Sequence, residues 1–318
     1  MDKVVILNAY YPEYSIEHAI LDPLGVEVVV EEPGKGDVDA IIAAVKDASA
    51  IITRETEIDA RIIDELENCK AIVRYGIGVD NFDLEAAKAK GIYVANTPTY
   101  GCDAVAEQAV ALMFGSMRRI ATRDADVRAG KWDIGNAEVM YGFGGKTLGV
   151  VGLGRIARAF MKKVSGLGWA RVLGYDPYVE QLEGVELVDL DTLFAEANVI
   201  SLHSPLTPET HHMVDAARLA MMKPNAVLVN TSRGGLIDTQ ALADALQAGK
   251  ILGAGIDVFE EEPPAADNPL FACRNAVLSD HTGWYSVESL ENLHRMAAEE
   301  VARVLNGEKP VSWVNRWE

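Results

Sequence analysis

The sequence predicts an α/β protein made of two doubly wound parallel-sheet domains, and three observations carry that prediction. Short, continuously apolar, β-branched runs alternate with longer helical stretches from end to end, as in βαβ units whose sheets are covered on both faces. A glycine-rich joint at Gly142, Gly144 and Gly145 divides the alternation into two series. The 318 residues suffice for two domains of ordinary size, and 49% apolar residues supply a large core.

In the first series the predicted strands are Val4–Leu7, Val26–Val30, Ala50–Ile52, Ala71–Arg74 and Ile92–Val94. Helical patterns near Ile16–Leu21, Val38–Ala48, Asp59–Leu66 and Leu84–Lys90 separate them. A long helix from about Ala104 to Ile120 follows. The second series predicts strands at Thr147–Val151, Arg171–Tyr175, Val199–His203, Val227–Asn230, Gly253–Val258 and Ala276–Leu278, with a closing helix from about Ser286 to Leu305. Solenoid-period repeats and low-complexity tracts are not seen.

The formal charge of −19, from 29 basic and 48 acidic residues, repels phosphate backbones and anionic lipid. Nucleic acid and membranes are therefore not expected partners, and an anionic substrate needs a local pocket of arginines. Cys69, Cys102 and Cys273 are odd in number and far apart, so they read as reduced thiols and not as a disulfide framework or zinc site. No apolar run approaches the ~18 residues of a membrane span. The N-terminus enters a strand-like segment directly and lacks a signal peptide's pattern, so a cytoplasmic location is expected.

The first chemistry-bearing segment is Gly149-Val150-Val151-Gly152-Leu153-Gly154-Arg155-Ile156-Ala157. It places glycines where an apolar strand gives way to a helix. Gly152 allows the tight turn, Gly154 allows close backbone approach of a pyrophosphate, and Ala157 still permits close helix–strand packing. Amides around Arg155 and Ile156 would lie at a helix N-terminus, where the dipole favours anions. A G-x-G-x-x-A turn is weak evidence alone. Asp176 strengthens it, because a carboxylate ending the next strand accepts ribose hydroxyls and repels a 2′-phosphate. NAD is thus expected in preference to NADP. A methyltransferase with a similar glycine loop would not explain the downstream segments.

Three later strand ends each present a functional group, where open α/β sheets bind ligands. Arg233, in Asn230-Thr231-Ser232-Arg233-Gly234-Gly235, can grip a carboxylate in bidentate fashion. In Asp257-Val258-Phe259-Glu260-Glu261-Glu262-Pro263-Pro264, Glu260 and Glu261 read as solvated. Asp257 lies within an apolar run and needs a specific partner, for which a nicotinamide carboxamide is a candidate. His281 follows a strand on the same sheet edge as Arg233 and Glu262, company the other histidines (18, 203, 211, 212 and 294) lack. His211-His212 would be a metal pair only if adjacent side chains did not point apart, so no metal is expected.

Taken together these segments resemble the NAD-dependent D-isomer-specific 2-hydroxyacid dehydrogenases over nearly the whole chain. Arg74-Tyr75-Gly76-Ile77-Gly78-Val79-Asp80-Asn81 looks like that family's substrate loop. Asn96-Thr97-Pro98 with Val105-Ala106-Glu107 looks like its interdomain crossing. The resemblance implies a Rossmann NAD domain, residues 99–284, inserted in a flavodoxin-like substrate domain, residues 1–98 and 285–318. It implies that His281 is the general acid–base, that Glu262 is its partner and that Arg233 holds the substrate carboxylate and carbonyl. Amides of Ile77 and Gly78 would bind the carboxylate's other oxygen, and Gly152, Gly154, Arg155, Ile156, Asp176, Thr231, Asp257, His281 and Val105 would line the cofactor site. These roles suit the chemistry. Hydride reduction of a ketone leaves an alkoxide that needs a proton donor poised near neutrality, and a carboxylate beside the histidine fixes its tautomer.

Two departures bear on the substrate. The family often has Pro before the catalytic histidine and small residues after it, whereas Asp280 precedes His281 and Trp284-Tyr285-Ser286 follows; that last element, with Tyr100-Gly101-Cys102 upstream, is similar to the branch containing the C-terminal-binding-protein corepressors. A bulky Trp284 would favour an apolar tail. Arg54 and Arg74 instead fall where phosphoglycerate dehydrogenases of the family carry phosphate-binding arginines, although the usual C-terminal regulatory extension is missing. Hydroxypyruvate or glyoxylate, phosphohydroxypyruvate and a bulkier keto acid all stay open. The rival function is an NAD(H)-responsive scaffold with vestigial catalysis. The apolar helix Ala104–Ile120 is expected to pack against a second subunit, giving a two-fold homodimer.

Overall fold

A computed structural model describes every residue except 35, 134–137 and 318. Two compact units emerge, Met1–Gly101 with Ser286–Glu318, and Cys102–Tyr285.

In the first unit, β1 (Lys3–Leu7), α1 (Ser15–Leu21), β2 (Glu27–Glu31), α2 (Val38–Val45), β3 (Ala50–Thr53), α3 (Ala60–Glu65), β4 (Ala71–Arg74), α4 (Leu84–Ala89) and β5 (Tyr93–Ala95) alternate. The strands form a five-stranded parallel sheet in the flavodoxin-like order β2-β1-β3-β4-β5. Val4 to Leu7 are fully buried because helices cover both faces of the sheet. Asp37, Asp59 and Asp83 start α2, α3 and α4 by accepting backbone amides three residues on, which satisfies donors the helix cannot. The closing helix, Val287–Leu305, returns to this unit and packs on α1, β3 and β4. Its N-cap Ser286 forms a reciprocal capping box with Ser289. At that junction Glu17 of α1 is fully buried, accepts the Tyr75 hydroxyl and meets His294 Nδ1, each at 2.5 Å.

The second unit opens with α5 (Cys102–Met117) and α6 (Ile120–Arg128). It continues through β6 (Thr147–Val151), α7 (Arg155–Val164), β7 (Arg171–Tyr175), β8 (Glu186–Leu187), α8 (Leu190–Glu196), β9 (Val199–Leu202) and α9 (Ala216–Met221). It ends with β10 (Val227–Asn230), α10 (Thr239–Gln247), β11 (Gly253–Ile256) and β12 (Ala276–Leu278). These strands form a seven-stranded parallel sheet, β12-β11-β10-β9-β6-β7-β8. Strand order reverses between β6 and β9, and the crevice outside their carboxyl ends is where such sheets bind ligands. Among the described residues no helix is long and apolar enough to cross a membrane.

Several predicted elements change. The helix expected over Ala104–Ile120 stops at Met117, because Arg119 takes a left-handed φ of 55° before α6 restarts at Ile120. The apolar face of α5 is buried within its own unit by α7, β10 and β11, with Ala106, Ala109, Met113 and Met117 fully enclosed. The surplus apolar surface read from the sequence is therefore already covered. Strands expected to reach His203 and Val258 end at Leu202 and Ile256. The two-residue β8 is too short to leave a periodic signature.

Candidate active site

The glycine turn is built by close approach. Gly152 has φ 82°, and a Cβ there would lie 2.7 Å from the His203 carbonyl oxygen, so only glycine fits. The next amide, Leu153 N–H, donates to Asp176 Oδ2 at 2.8 Å, while Tyr178 N–H donates to Oδ1 at 2.9 Å. The strand-end carboxylate is thereby fixed against the turn. Gly154 is the N-cap of α7 and has open space where a Cβ would stand. Arg155 and Ile156 are the first helical residues, and the first helical bond is Arg158 N–H to the Gly154 carbonyl, so their amides precede the ladder. Thr231 Oγ1, just past β10, is buried without a partner among the described residues. Val105 is buried on α5. An open cap and a cramped turn at the strand-order reversal, with an orphaned hydroxyl one strand away, fit a nicotinamide dinucleotide.

Arg233, Glu262 and His281 come together in this unit. His281 Nδ1 lies 2.6 Å from Glu262 Oε2, and Phe259 N–H donates to Glu262 Oε1 at 2.9 Å. Burial works against ionisation of Glu262. The His281 and Phe259 hydrogen bonds and the charges of His281 and Arg233 outweigh it, holding the carboxyl below its usual range. Asn230 Nδ2 donates to the Arg233 carbonyl at 2.9 Å, and the Arg233 guanidinium donates to the Ser232 carbonyl at 2.8 Å. A Cβ on Gly234 would meet the Phe259 carbonyl carbon at 1.9 Å, so this glycine lets the Arg233 segment lie against the chain leading to Glu262. His281 itself stands in a loop, three residues past β12, with a left-handed φ of 56°.

That loop is held by Asp257. Its buried carboxylate accepts the Ser279 hydroxyl at 2.5 Å, Thr282 N–H at 3.2 Å and Gly283 N–H at 2.9 Å, and its carbonyl accepts His281 N–H at 2.8 Å. The partner expected for Asp257 is thus the protein itself, which replaces the cofactor amide as the reason a carboxylate is tolerated there. Gln108 Nε2 donates to Ser279 Oγ at 2.9 Å, an anchor that sequence reading missed because the two lie far apart in the chain.

In the first unit, Arg54 and Arg74 follow or end β3 and β4, and Arg74 Nε donates to the Arg54 carbonyl at 3.0 Å. Arg54 pairs with Glu55 at 3.4 Å and lies over the Tyr11 ring. The Gly76-Ile77-Gly78 loop is held by residues read only as a crossing: Asn96 Nδ2 donates to the Ile77 carbonyl, and Thr97 Oγ1 accepts Gly76 N–H at 3.0 Å. Trp284 stands in the His281 loop of the second unit, edge-on to Tyr285.

The remaining histidines are not without company. His294 pairs with buried Glu17, His18 with Asp22 and His212 with Glu260. What distinguishes His281 is a guanidinium beside its carboxylate. Glu260 is not merely solvated, since it accepts Thr239 N–H at 2.9 Å and meets His212 Nε2 at 2.8 Å. His211 and His212 do not point apart; their rings stack with centroids 3.9 Å apart.

Comparison with known proteins gives a consistent result. The family model "D-isomer specific 2-hydroxyacid dehydrogenase, NAD binding domain" matches residues 110–283. A glyoxylate reductase of Thermococcus litoralis is 42% identical over 287 residues, covering 87% of this chain and 86% of its own. A D-3-phosphoglycerate dehydrogenase of Methanocaldococcus jannaschii is 40% identical over 310 residues, covering 93% of this chain but only 59% of its own. Among solved structures, an acyclic imino acid reductase in complex with NADPH and D-Arg superposes with TM-score 0.89 at 29% identity, covering 99% of this chain and all of that one.

Proposed function

The chain belongs to the D-isomer-specific 2-hydroxyacid dehydrogenases, and from that premise we propose how its residues run the reaction. It is an NAD-dependent oxidoreductase acting between 2-keto acids and D-2-hydroxy acids; nothing favours the scaffold reading. The nicotinamide, when bound, supplies or accepts the hydride. Arg233 holds the substrate carboxylate and its carbonyl oxygen, where a guanidinium stabilises the charge that develops. Glu262 takes the Nδ1 side of His281, which leaves Nε2 for the substrate. In the reducing direction Nε2–H protonates the carbonyl oxygen as it becomes hydroxyl, and in the oxidising direction neutral Nε2 removes that proton. The observation that carries this reading is the 2.6 Å His281–Glu262 contact with the Arg233 charge beside it.

The proposed cofactor is NAD and not NADP, because Asp176 is fixed at the ribose end of the turn. Small substrates of the glyoxylate or hydroxypyruvate type are favoured, since Glu55 already offsets the Arg54 charge. A phosphorylated substrate is the second reading, supported by Arg54 and Arg74 lying together, while Trp284 is assigned to the substrate's tail. The test is NADH oxidation against a panel of glyoxylate, hydroxypyruvate, phosphohydroxypyruvate and branched 2-keto acids. His281→Ala should lower kcat by about 10²–10⁴-fold with NADH binding retained; turnover unchanged in that variant rejects the mechanism.

We also propose a homodimer, with the interface moved from α5 to the segment that follows it. Exposed large apolar side chains gather there: Ile120, Val127, Trp132, Val139 and Met140. A monomer mass by light scattering at micromolar concentration rejects it. Three free cysteines suit a reducing, cytoplasmic setting.

A further inference from the structure

Outside the catalytic groups, one cluster in the second unit joins three metal-ligating side chains: His211, His212 and Glu260. One ligand atom from each lies within 4.8 Å of the others. His212 Nε2 and Glu260 Oε2 are 2.8 Å apart, and the two imidazoles stack at 3.9 Å. Consecutive side chains in ordinary backbone diverge. Here His212 holds a left-handed φ of 49°, a region most side chains avoid, which turns its ring back alongside its neighbour. Two backbone bonds hold the turn: His211 N–H donates to the Thr207 carbonyl at 2.9 Å and His212 N–H to the Gly235 carbonyl at 2.8 Å. Glu260 is fixed from the other side by Thr239 N–H at 2.9 Å. The three donors thus come from two segments, each anchored, and converge at the surface.

We propose that His211, His212 and Glu260 bind a divalent transition-metal ion of the zinc type. Two imidazole nitrogens and one carboxylate oxygen are a donor set zinc accepts, with water in the fourth position. Metal–nitrogen bonds of about 2.0–2.1 Å put tetrahedral ligand atoms roughly 3.3 Å apart. The 2.8 Å His212–Glu260 contact nearly meets that spacing, and rotation of the exposed His211 ring closes the rest. The ion takes the place of the hydrogen between Nε2 and Oε2, and that proton leaves to solvent or moves to Nδ1. A net charge of −19 raises the local concentration of cations.

The test uses full-length protein stripped with chelator and titrated with Zn²⁺ by calorimetry, then with Co²⁺ followed by visible absorption. Wild type should take up one equivalent at this site and give the intense bands of tetrahedral Co²⁺. His211→Ala and Glu260→Gln should weaken uptake at least tenfold, and His212→Asn, which tolerates the same backbone, should do the same. Circular dichroism and retained keto acid reduction in His211→Ala would show that the fold survives. Zn²⁺ affinity unchanged in His211→Ala and His212→Asn overturns the assignment. So does uptake that disappears only with His281→Asn, which would put the ion on the catalytic pair.

Discussion

A Cβ at position 234 would sit 1.9 Å from the Phe259 carbonyl carbon, a distance no repacking of side chains can relieve. Gly234→Ala should therefore cost more than about 2 kcal/mol in urea unfolding and displace Glu262 from His281. Unchanged stability would mean the two segments do not touch. Glu262→Gln should lower kcat about 10²-fold, since an amide cannot stabilise the imidazolium. A carboxyl held below its usual range adds stability above its unfolded pKa, roughly 4.3, and that stability is lost as pH falls through the folded value. The variant should thus show a shallower acid loss below about pH 4.3 than wild type. Arg233, Glu262 and His281 were legible because each follows a strand within its own local motif. Gln108, Ser279 and the true partners of Asp257 were not, because their bonds depend on which strands become neighbours.

At the level of elements, the helix α11 (Val287–Leu305) carries His294 into a pocket with Glu17 and Tyr75. One Glu17 oxygen has no partner among the described residues, so the carboxylate depends on those two contacts. His294→Ala removes one of the two partners of a buried carboxyl and opens a cavity among Tyr11, Tyr14 and Tyr75, and should cost about 3–5 kcal/mol. Tyr75→Phe removes one hydroxyl donor and should cost about 1–3 kcal/mol. Chemical denaturation of both variants checks the order, and equal losses would refute it. Helix periodicity placed α11 within one residue at its start, yet could not say which histidine on it faces a carboxylate near the other end of the chain. Where α5 ends was also hidden: Arg118 and Arg119 are good helix formers, and the break is a backbone conformation that side-chain pattern does not encode.

At the scale of the whole molecule, acid stability has an identifiable weak point. His203 follows β9 with Nδ1 sealed from solvent and without a partner among the described residues, and burial lowers its pKa to about 3. The unfolded chain binds a proton there below about pH 6.5 while the folded chain does not. Stability is therefore complete above that pH and falls as pH drops toward 3, by at most about 1.4 kcal/mol per unit. Between pH 7 and 5 wild type should lose up to about 2 kcal/mol from this group, and His203→Gln should lose less; parallel urea curves reject the assignment. The global architecture was legible because continuous apolar strands and helical periods recur throughout.

The route of the chain sets an order of assembly. Residues 1–101 emerge from the ribosome first, but their sheet lacks the helix that covers α1, β3 and β4 until Val287–Leu305 has been made. The inserted unit, by contrast, holds all its own strands once Tyr285 is out. The unit whose strands are made first is therefore the one that finishes folding, and a released fragment ending at Tyr285 should resist protease only across its second unit.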